Sequence, residues 1–486
     1  MSGGPGRLLR EEVLDPQFRH EVAHLLPSYV AIELALVAEY VRMAVIRPEE
    51  GRALAAALRS ITAADMEDRR QECLSDLALA MERLVGERSA SAVPAWHVDR
   101  SRNDLQACAQ LMAGRRLLVE LAADLDGLIE AVLGNAARSA ELPMPGHTHF
   151  QAAQIMSPGF YLAALADRLL RRSSRMLATF DEIDACPLGS GAMSGQELGW
   201  DRDRLATLLG FARAEPLALN GVASREWAAE LTAELSLLGS LLSRFCTDLL
   251  TWGGAGHGFF DLPDALSGIS AAMPQKRNFP VLERVRGRTA HLAAFHVDVL
   301  LGQRNTPYTN LVEVSKEAGT HVRAAFETGR SALLLLTEVL RGLEWREERL
   351  RAACSEEFFG GFSLANALTL RAGVPWRTAQ VIAGAYVTRS LADGRPPGAH
   401  APGVLREAAG EHGYAVPEAG TLLAEAFDVE TALERLTSAG SANPRQVLAA
   451  LADQAGRRER SSARWAARAR TLAGVPAGLD RALGLT

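Results

Sequence analysis

The stretch Asp104–Ala140, DLQACAQLMAGRRLLVELAADLDGLIEAVLGNAARSA, decides the fold class. Leu111, Leu118, Leu121, Leu125, Ile129 and Val132 recur in it at helical spacing. Intrinsic propensity does not sustain so long a helix in water, so its apolar stripe must be buried against other elements. Four more patterns of this kind follow, over Ser157–Ile183, Arg225–Thr251, Val281–Leu301 (opened by Pro280) and Ser315–Leu343. Strand signals are scarce, with little period-two alternation and few β-branched runs. Long helices in series with joining loops predict an all-α bundle. The Leu/Ala-rich stripes are broad enough to serve contacts between chains as well as within one.

Outward from the bundle the pattern changes. From Asp15 to about Leu84 it predicts several medium helices, one opened by Pro48-Glu49-Glu50, with proline in the first turn and acids at the positive end of the dipole. Ser89–Asp99 reads as a loop containing Pro94. Beyond Cys354 glycine and proline become frequent (Gly360-Gly361, Pro375, Gly394–Pro402), and the Ala/Arg-rich tail Arg457–Arg470 reads as an amphipathic helix. The chain has 486 residues, which suits about three domains. They are expected at 1–103 (N-terminal helical), 104–354 (central long-helix bundle) and 355–486 (small helical).

Composition narrows the function. Apolar residues make up 48% and charged ones 23%, an ordinary globular balance, and the net charge of −6 gives no electrostatic reason to expect nucleic acid or an anionic membrane as partner. The five cysteines, Cys73, Cys108, Cys186, Cys246 and Cys354, are odd in number and lack metal-ligand spacing. They read as buried small hydrophobes in a reducing compartment. Met1–Arg10 lacks the apolar core of a signal peptide, and the apolar run Ala332–Leu340 is short and broken by Glu338, so a cytoplasmic protein is expected.

Polar loops between the helices carry the chemistry. In Ser267-Gly-Ile-Ser-Ala-Ala-Met-Pro-Gln-Lys-Arg-Asn278, a serine, a lysine and an asparagine follow a glycine hinge. The sequence has 52 basic residues, yet only Lys276 and Lys316 are lysine. A lysine in a Gly/Ser loop of so arginine-rich a chain suggests a need for a compact ammonium rather than a flat fork. His97–Asp104 ends where the first long helix begins, and Asn103 or Asp104 is placed to cap it. Ser101, Arg102 and Asn103 there would form an anion site, or else a plain cap cluster. Pro145-Gly-His-Thr-His-Phe-Gln151 places His147 and His149 two apart, on one side of an extended loop. A third metal ligand is not apparent, and a structural histidine is the ordinary outcome. No nucleophile elbow surrounds Ser270. Gly189–Gly195 and Gly253–Gly258 follow no strand and hold no lysine, so they read as turns rather than phosphate loops.

Taken in order, His97–Asp104, the Pro-Gly-x-Thr-His-x-Gln loop, the Leu188–Gly195 turn and Ser270-x-x-Met273-Pro274-x-Lys276-x-Asn278 resemble argininosuccinate lyase of the fumarase/aspartase superfamily. The resemblance covers nearly the whole chain. It implies an all-α fold whose long-helix domain tetramerises, with active sites shared between three subunits. The implied reaction breaks a C–N bond by β-elimination and releases fumarate from a dicarboxylate substrate, with no cofactor or metal. Ser270 is then the general base, with Lys276 and Asn278 on the substrate carboxylate and the dianion formed from it. A serine hydroxyl is a weak base, so cationic and backbone donors must stabilise its ionised form. Thr148 matches a second carboxylate donor. His149 matches the histidine that protonates the leaving nitrogen or orients the group that does, and Glu283 its carboxylate partner. Ser101, Arg102, Asn103, Gln151, Tyr308 and Lys316 match substrate-contacting positions.

The sequence departs from the family at several points. Ile269 stands where a glycine precedes the base. Asp76-Leu77-Ala78 replaces an Asp-x-His. Asn310, Leu311 and Glu313 replace an Arg/Lys, an Asp and a Gln after Tyr308. Ile32–Val37 is apolar where the family brings polar contacts to the amino-acid end of the substrate, and the Asn220–Trp227 loop is short but keeps Arg225. The residues for fumarate are present, while those for the amine are altered. Three readings follow: argininosuccinate lyase, a paralogue cleaving another N-succinyl compound, and a non-catalytic structural homologue. The last conflicts with the joint presence of Ser270, Lys276, Asn278, Thr148 and His149.

Overall fold

The structure, a computed structural model, describes residues 6–70, 76–89 and 91–485. Cys73 lies outside them. The elements that position the site are named in chain order: α1 (Asp15–His24), α2 (Arg102–Arg138), β1 (Met144–Thr148), β2 (Gln151–Met156), α3 (Pro158–Glu182), α4 (Glu226–Gly253), β3 (Gly268–Ile269), β4 (Arg277–Asn278), α5 (Pro280–Gln303), α6 (Val322–Gly342) and α7 (Pro444–Ala473).

The bundle α2–α6 follows the apolar periodicity. All six stripe residues of α2, from Leu111 to Val132, are buried. Leu162, Leu169 and Leu177 of α3, Leu235, Leu242 and Leu249 of α4 and Leu333, Leu336 and Leu340 of α6 face the same core. Gly239 lets α4 and α5 approach closely, because a Cβ there would lie 2.9 Å from the Thr289 carbonyl.

Helix starts correct one expectation. Neither Asn103 nor Asp104 caps α2; Ser101 does, accepting the Asn103 N–H at 3.2 Å. Asp104 turns inward instead and accepts the N–H groups of Gly189 (2.9 Å) and Gly191 (3.0 Å). Both glycines have positive φ, 87° and 61°, so the Leu188–Gly195 turn needs them. The fifth long helix also starts later than its apolar pattern. Residues Glu313–Glu317 form a wide π-type turn, and α6 begins at Val322. The Ser315 carbonyl is drawn to Gln110 Nε2 at 2.6 Å, which ties this turn to α2.

The 145–151 loop is a β-hairpin rather than an extended run. β1 and β2 pair antiparallel, and His149-Phe150 form a two-residue turn with φ of 53° and 59°. That left-handed turn normally takes Asn-Gly, so neither side chain advertises it. His147 and His149 therefore do not share a side: His147 lies in the strand with its ring 5.9 Å from that of His257, and His149 occupies the turn.

The stretch expected as one C-terminal domain, 355–486, holds two different things. Residues between Leu364 and Phe427 have a core of their own. By contrast, α7 returns to the bundle. Gln454 Nε2 donates to the Ala163 carbonyl (2.9 Å), Trp465 Nε1 to Ser173 Oγ (3.1 Å), and Arg458 pairs with Asp126 at 2.8 Å. Apolar side chains of the N-terminal helices, such as Phe18, Ile32 and Leu54, join the same large core as α2. No single helix among the described residues is long and apolar enough to cross a membrane.

Candidate active site

The candidate residues divide between the two ends of the bundle. At about 1.5 Å per residue, the 37 residues of α2 span about 55 Å. Ser101, Arg102 and Asn103 lie at its start, and the hairpin bearing Thr148, His149 and Gln151 follows its end.

At the first end, Asn103 Nδ2 donates to the Ala192 carbonyl (3.1 Å), and Arg102 pairs with Asp76 (2.9 Å). Asp99 accepts from the Leu198 N–H (2.8 Å) and the Trp200 indole (3.0 Å), which pins the 97–101 loop to the 196–200 segment. Arg100 forms a buried ion pair with Glu33. Burial, followed by the nearby Arg100 cation, pushes the His97 imidazole down to about 4. Burial also raises the Asp104 carboxyl to about 6, against the pull of its two glycine N–H donors. The C-terminus of α5 arrives here too, since Gln303 Nε2 donates to the Arg225 carbonyl at 3.1 Å. Tyr308 donates its hydroxyl proton to Asn220 Oδ1 (3.1 Å). Lys316, on the π-type turn, pairs with Glu21 of α1.

At the second end, β3 and β4 pair Gly268 with Asn278 and Ile269 with Arg277, and the chain between them forms an exposed tip that holds Lys276. Ser270 Oγ accepts the Met273 N–H at 3.1 Å. A backbone donor on a hydroxyl oxygen favours its ionised form. Arg277 anchors the hairpin to Asp261 (2.7 Å) and Asp264 (2.8 Å). Glu283 is exposed in the first turn of α5. Thr148, His149 and Gln151 are exposed on the other hairpin of this end.

Glu21 escaped the sequence reading. It is only 2% exposed and also accepts from the Leu77 N–H (3.2 Å) and Gln17 Nε2 (3.3 Å). A charged residue within the apolar face of Phe18, Val22 and Leu25 is the signal that marks it.

A family model described as lyase matches residues 50–292. The argininosuccinate lyase of Moorella thermoacetica is 32% identical over 355 residues, covering 72% of this chain and 75% of that protein. That of Desulforamulus reducens is 32% identical over 314 residues, covering 64% and 67%. The chain belongs to the fumarase/aspartase superfamily of lyases. Among solved structures, a variant of EDDS lyase with bound fumarate superposes on this lyase with a TM-score of 0.87 at 24% identity, covering 100% of this chain and 96% of the other. A fumarate lyase:delta crystallin from Brucella melitensis bound to cobalt gives 0.67 at 19% identity, covering 85% and 91%. Both share the long-helix fold.

Proposed function

We propose that this lyase removes fumarate from an N-substituted aspartate by β-elimination, with argininosuccinate as the leading substrate, and that it works in the cytoplasm as a homotetramer. The observation that carries the reading is the division of the polar set between bundle ends tens of ångströms apart, all of it in loops, turns, short hairpin strands or first helical turns. A four-carbon diacid cannot bridge those ends within one chain. Antiparallel apposition of copies brings the Asn103 end of one beside the Ser270 and His149 end of another. Apolar side chains are left exposed for such contacts, including Val297 (52%) and Leu301 (58%) of α5 and Leu237 (49%) of α4.

In the assembled site Ser270 takes the proton from the carbon next to the substrate carboxylate. Negative charge then develops on that carboxylate, where the Lys276 ammonium, the Asn278 amide and the Thr148 hydroxyl converge. His149, oriented by Glu283, delivers or directs the proton to the leaving nitrogen. Ser101, Arg102, Asn103, Gln151, Tyr308 and Lys316 position the remainder of the substrate. No metal or cofactor takes part in the proposed steps.

A second reading, a paralogue releasing a different amine, is favoured by Glu21. Its carboxylate occupies Lys316, and Asn310, Leu311 and Glu313 stand nearby in place of the family's polar set. The test is to supply argininosuccinate and follow fumarate in the ultraviolet. Turnover that vanishes in Ser270→Ala supports argininosuccinate lyase. An inert argininosuccinate with adduct formation from fumarate and another amine supports the paralogue. Silence in both directions rejects catalysis.

A further inference from the structure

The loop that leads into α2 is held in a shape that costs energy. His97 and Asp99 have positive φ, 82° and 58°, the left-handed region that residues other than glycine adopt at a cost. Glycine would take the Asp99 backbone without that cost, so the side chain there must return something. Its carboxylate does so by reaching a segment 98 to 101 positions along the chain. Oδ1 accepts the Glu197 N–H (3.1 Å), while Oδ2 accepts the Leu198 N–H (2.8 Å) and the Trp200 indole N–H (3.0 Å). Burial opposes ionisation of this carboxyl, but the Leu198, Trp200 and Glu197 donors hold it below its ordinary range. Gln196 Nε2 in turn donates to the Asp99 carbonyl.

The clamp joins two pieces that also have anchors of their own. On the far piece, Arg42 Nη2 donates to the Gly199 carbonyl (2.7 Å), and Glu39 accepts the Asp201 N–H (3.2 Å). The Trp200 ring packs edge-on against Tyr40, with centroids 4.9 Å apart. On the near piece, Tyr40 donates its hydroxyl proton to the Val98 carbonyl (2.6 Å), and Arg100 pairs with Glu33. Ser101, Arg102 and Asn103 follow at once. The start of α2 and the 189–200 segment are therefore tied on both sides of Ser101-Arg102. Asp99 ties them before that pair, and Asn103 and Asp104 tie them after it.

We propose that Asp99 is a positioning residue for substrate binding: by clamping the α2 entry loop to the 196–200 segment, its carboxylate sets the placement of Ser101, Arg102 and Asn103. What those three residues bind rests on the lyase reading; the coupling itself does not. Asp99 touches no substrate atom in this role. It acts through geometry, since a misplacement of about 1 Å in groups that hold a substrate costs about 100-fold. Strained backbone of this kind persists only where the surroundings over-determine it, and here the hydrogen bonds of one carboxylate do so.

The experiment follows fumarate release from argininosuccinate by the full-length enzyme. Asp99→Gly relieves the backbone and removes the clamp. It should raise KM by about 10- to 100-fold and leave kcat within about threefold of wild type, because the displaced groups hold the substrate rather than move its protons. Asp99→Asn keeps one acceptor oxygen and tolerates the left-handed region, so it should recover part of the loss. Trp200→Phe keeps the ring and deletes its N–H. It should raise KM by about threefold alone and add nothing to Asp99→Gly, since both variants break one clamp. An unchanged KM in Asp99→Gly, a loss confined to kcat, or losses that multiply in the double variant overturn the proposal. If Asp99→Gly does not fold, Asp99→Asn and Trp200→Phe carry the same test. If argininosuccinate is inert in the wild type, hydrogen exchange decides. Exchange about tenfold faster in Asp99→Gly at the Asn103 amide as well as at Leu198 upholds the clamp and places the failure with the lyase reading. A change at Leu198 alone, or none, overturns the clamp.

Discussion

Mixing two inactive variants should restore activity. Take Asn103→Ala at one bundle end and Ser270→Ala at the other. The 24 residues of α5 separate the Asn278 end from the Tyr308 end by about 36 Å, and α2 separates Asn103 from the hairpin by about 55 Å. In the proposed assembly each productive site draws its Asn103 from one protomer and its Ser270 from another. In a randomly assembled mixture of equal parts, half of the sites receive a wild-type Asn103 and, independently, half receive a wild-type Ser270. About a quarter of the sites are therefore intact, and about a quarter of wild-type turnover is expected. The assay is fumarate absorbance of co-expressed, differently tagged variants purified through both tags, beside each variant alone. Activity no greater than the sum of the two homomeric variants would refute the shared site, whatever the residual rates are.

Further predictions follow from the local structure. Lys276→Arg should lower kcat/KM by about 100-fold or more, since a planar fork cannot replace a point donor on the developing dianion; steady-state rates near wild type would remove Lys276 from that role. His97 has a depressed folded-state pKa, from the ordinary 6.5 to about 4. Its contribution to stability is thus present above the unfolded value and is lost as pH falls from 6.5 towards 4, up to about 3 kcal/mol. His97→Gln should flatten the Tm-versus-pH curve between pH 7 and pH 5, and a curve parallel to wild type would exclude this source. Phe150 is 92% exposed at φ 59°, so Phe150→Gly should stabilise the fold by about 1 kcal/mol in denaturant unfolding. A loss of stability there would show that the ring is needed for packing that the isolated chain lacks.

The sequence by itself determined the helices and the chemistry. A periodic stripe such as Leu111–Val132 must be buried wherever it occurs, so length and class were legible. Ser270, Lys276, Thr148 and His149 stood out as candidates because the proposed reaction calls for those functional groups. Local competition was harder to read. Ser101 rather than Asn103 or Asp104 caps α2, because Asp104 finds better partners in two glycine N–H groups 85 and 87 positions along the chain. The turn at His149-Phe150 carries no turn residue, so only strand pairing reveals it. Pairings across long sequence separations belong to the tertiary structure alone. They set Glu21 against Lys316, bury Arg225 against neutral carbonyls, return α7 to the bundle and place the polar loops at opposite ends of helices too long for one substrate to span. The physical reason is that burial and charge matching are settled between segments, whereas a sequence pattern reports only what each segment prefers alone.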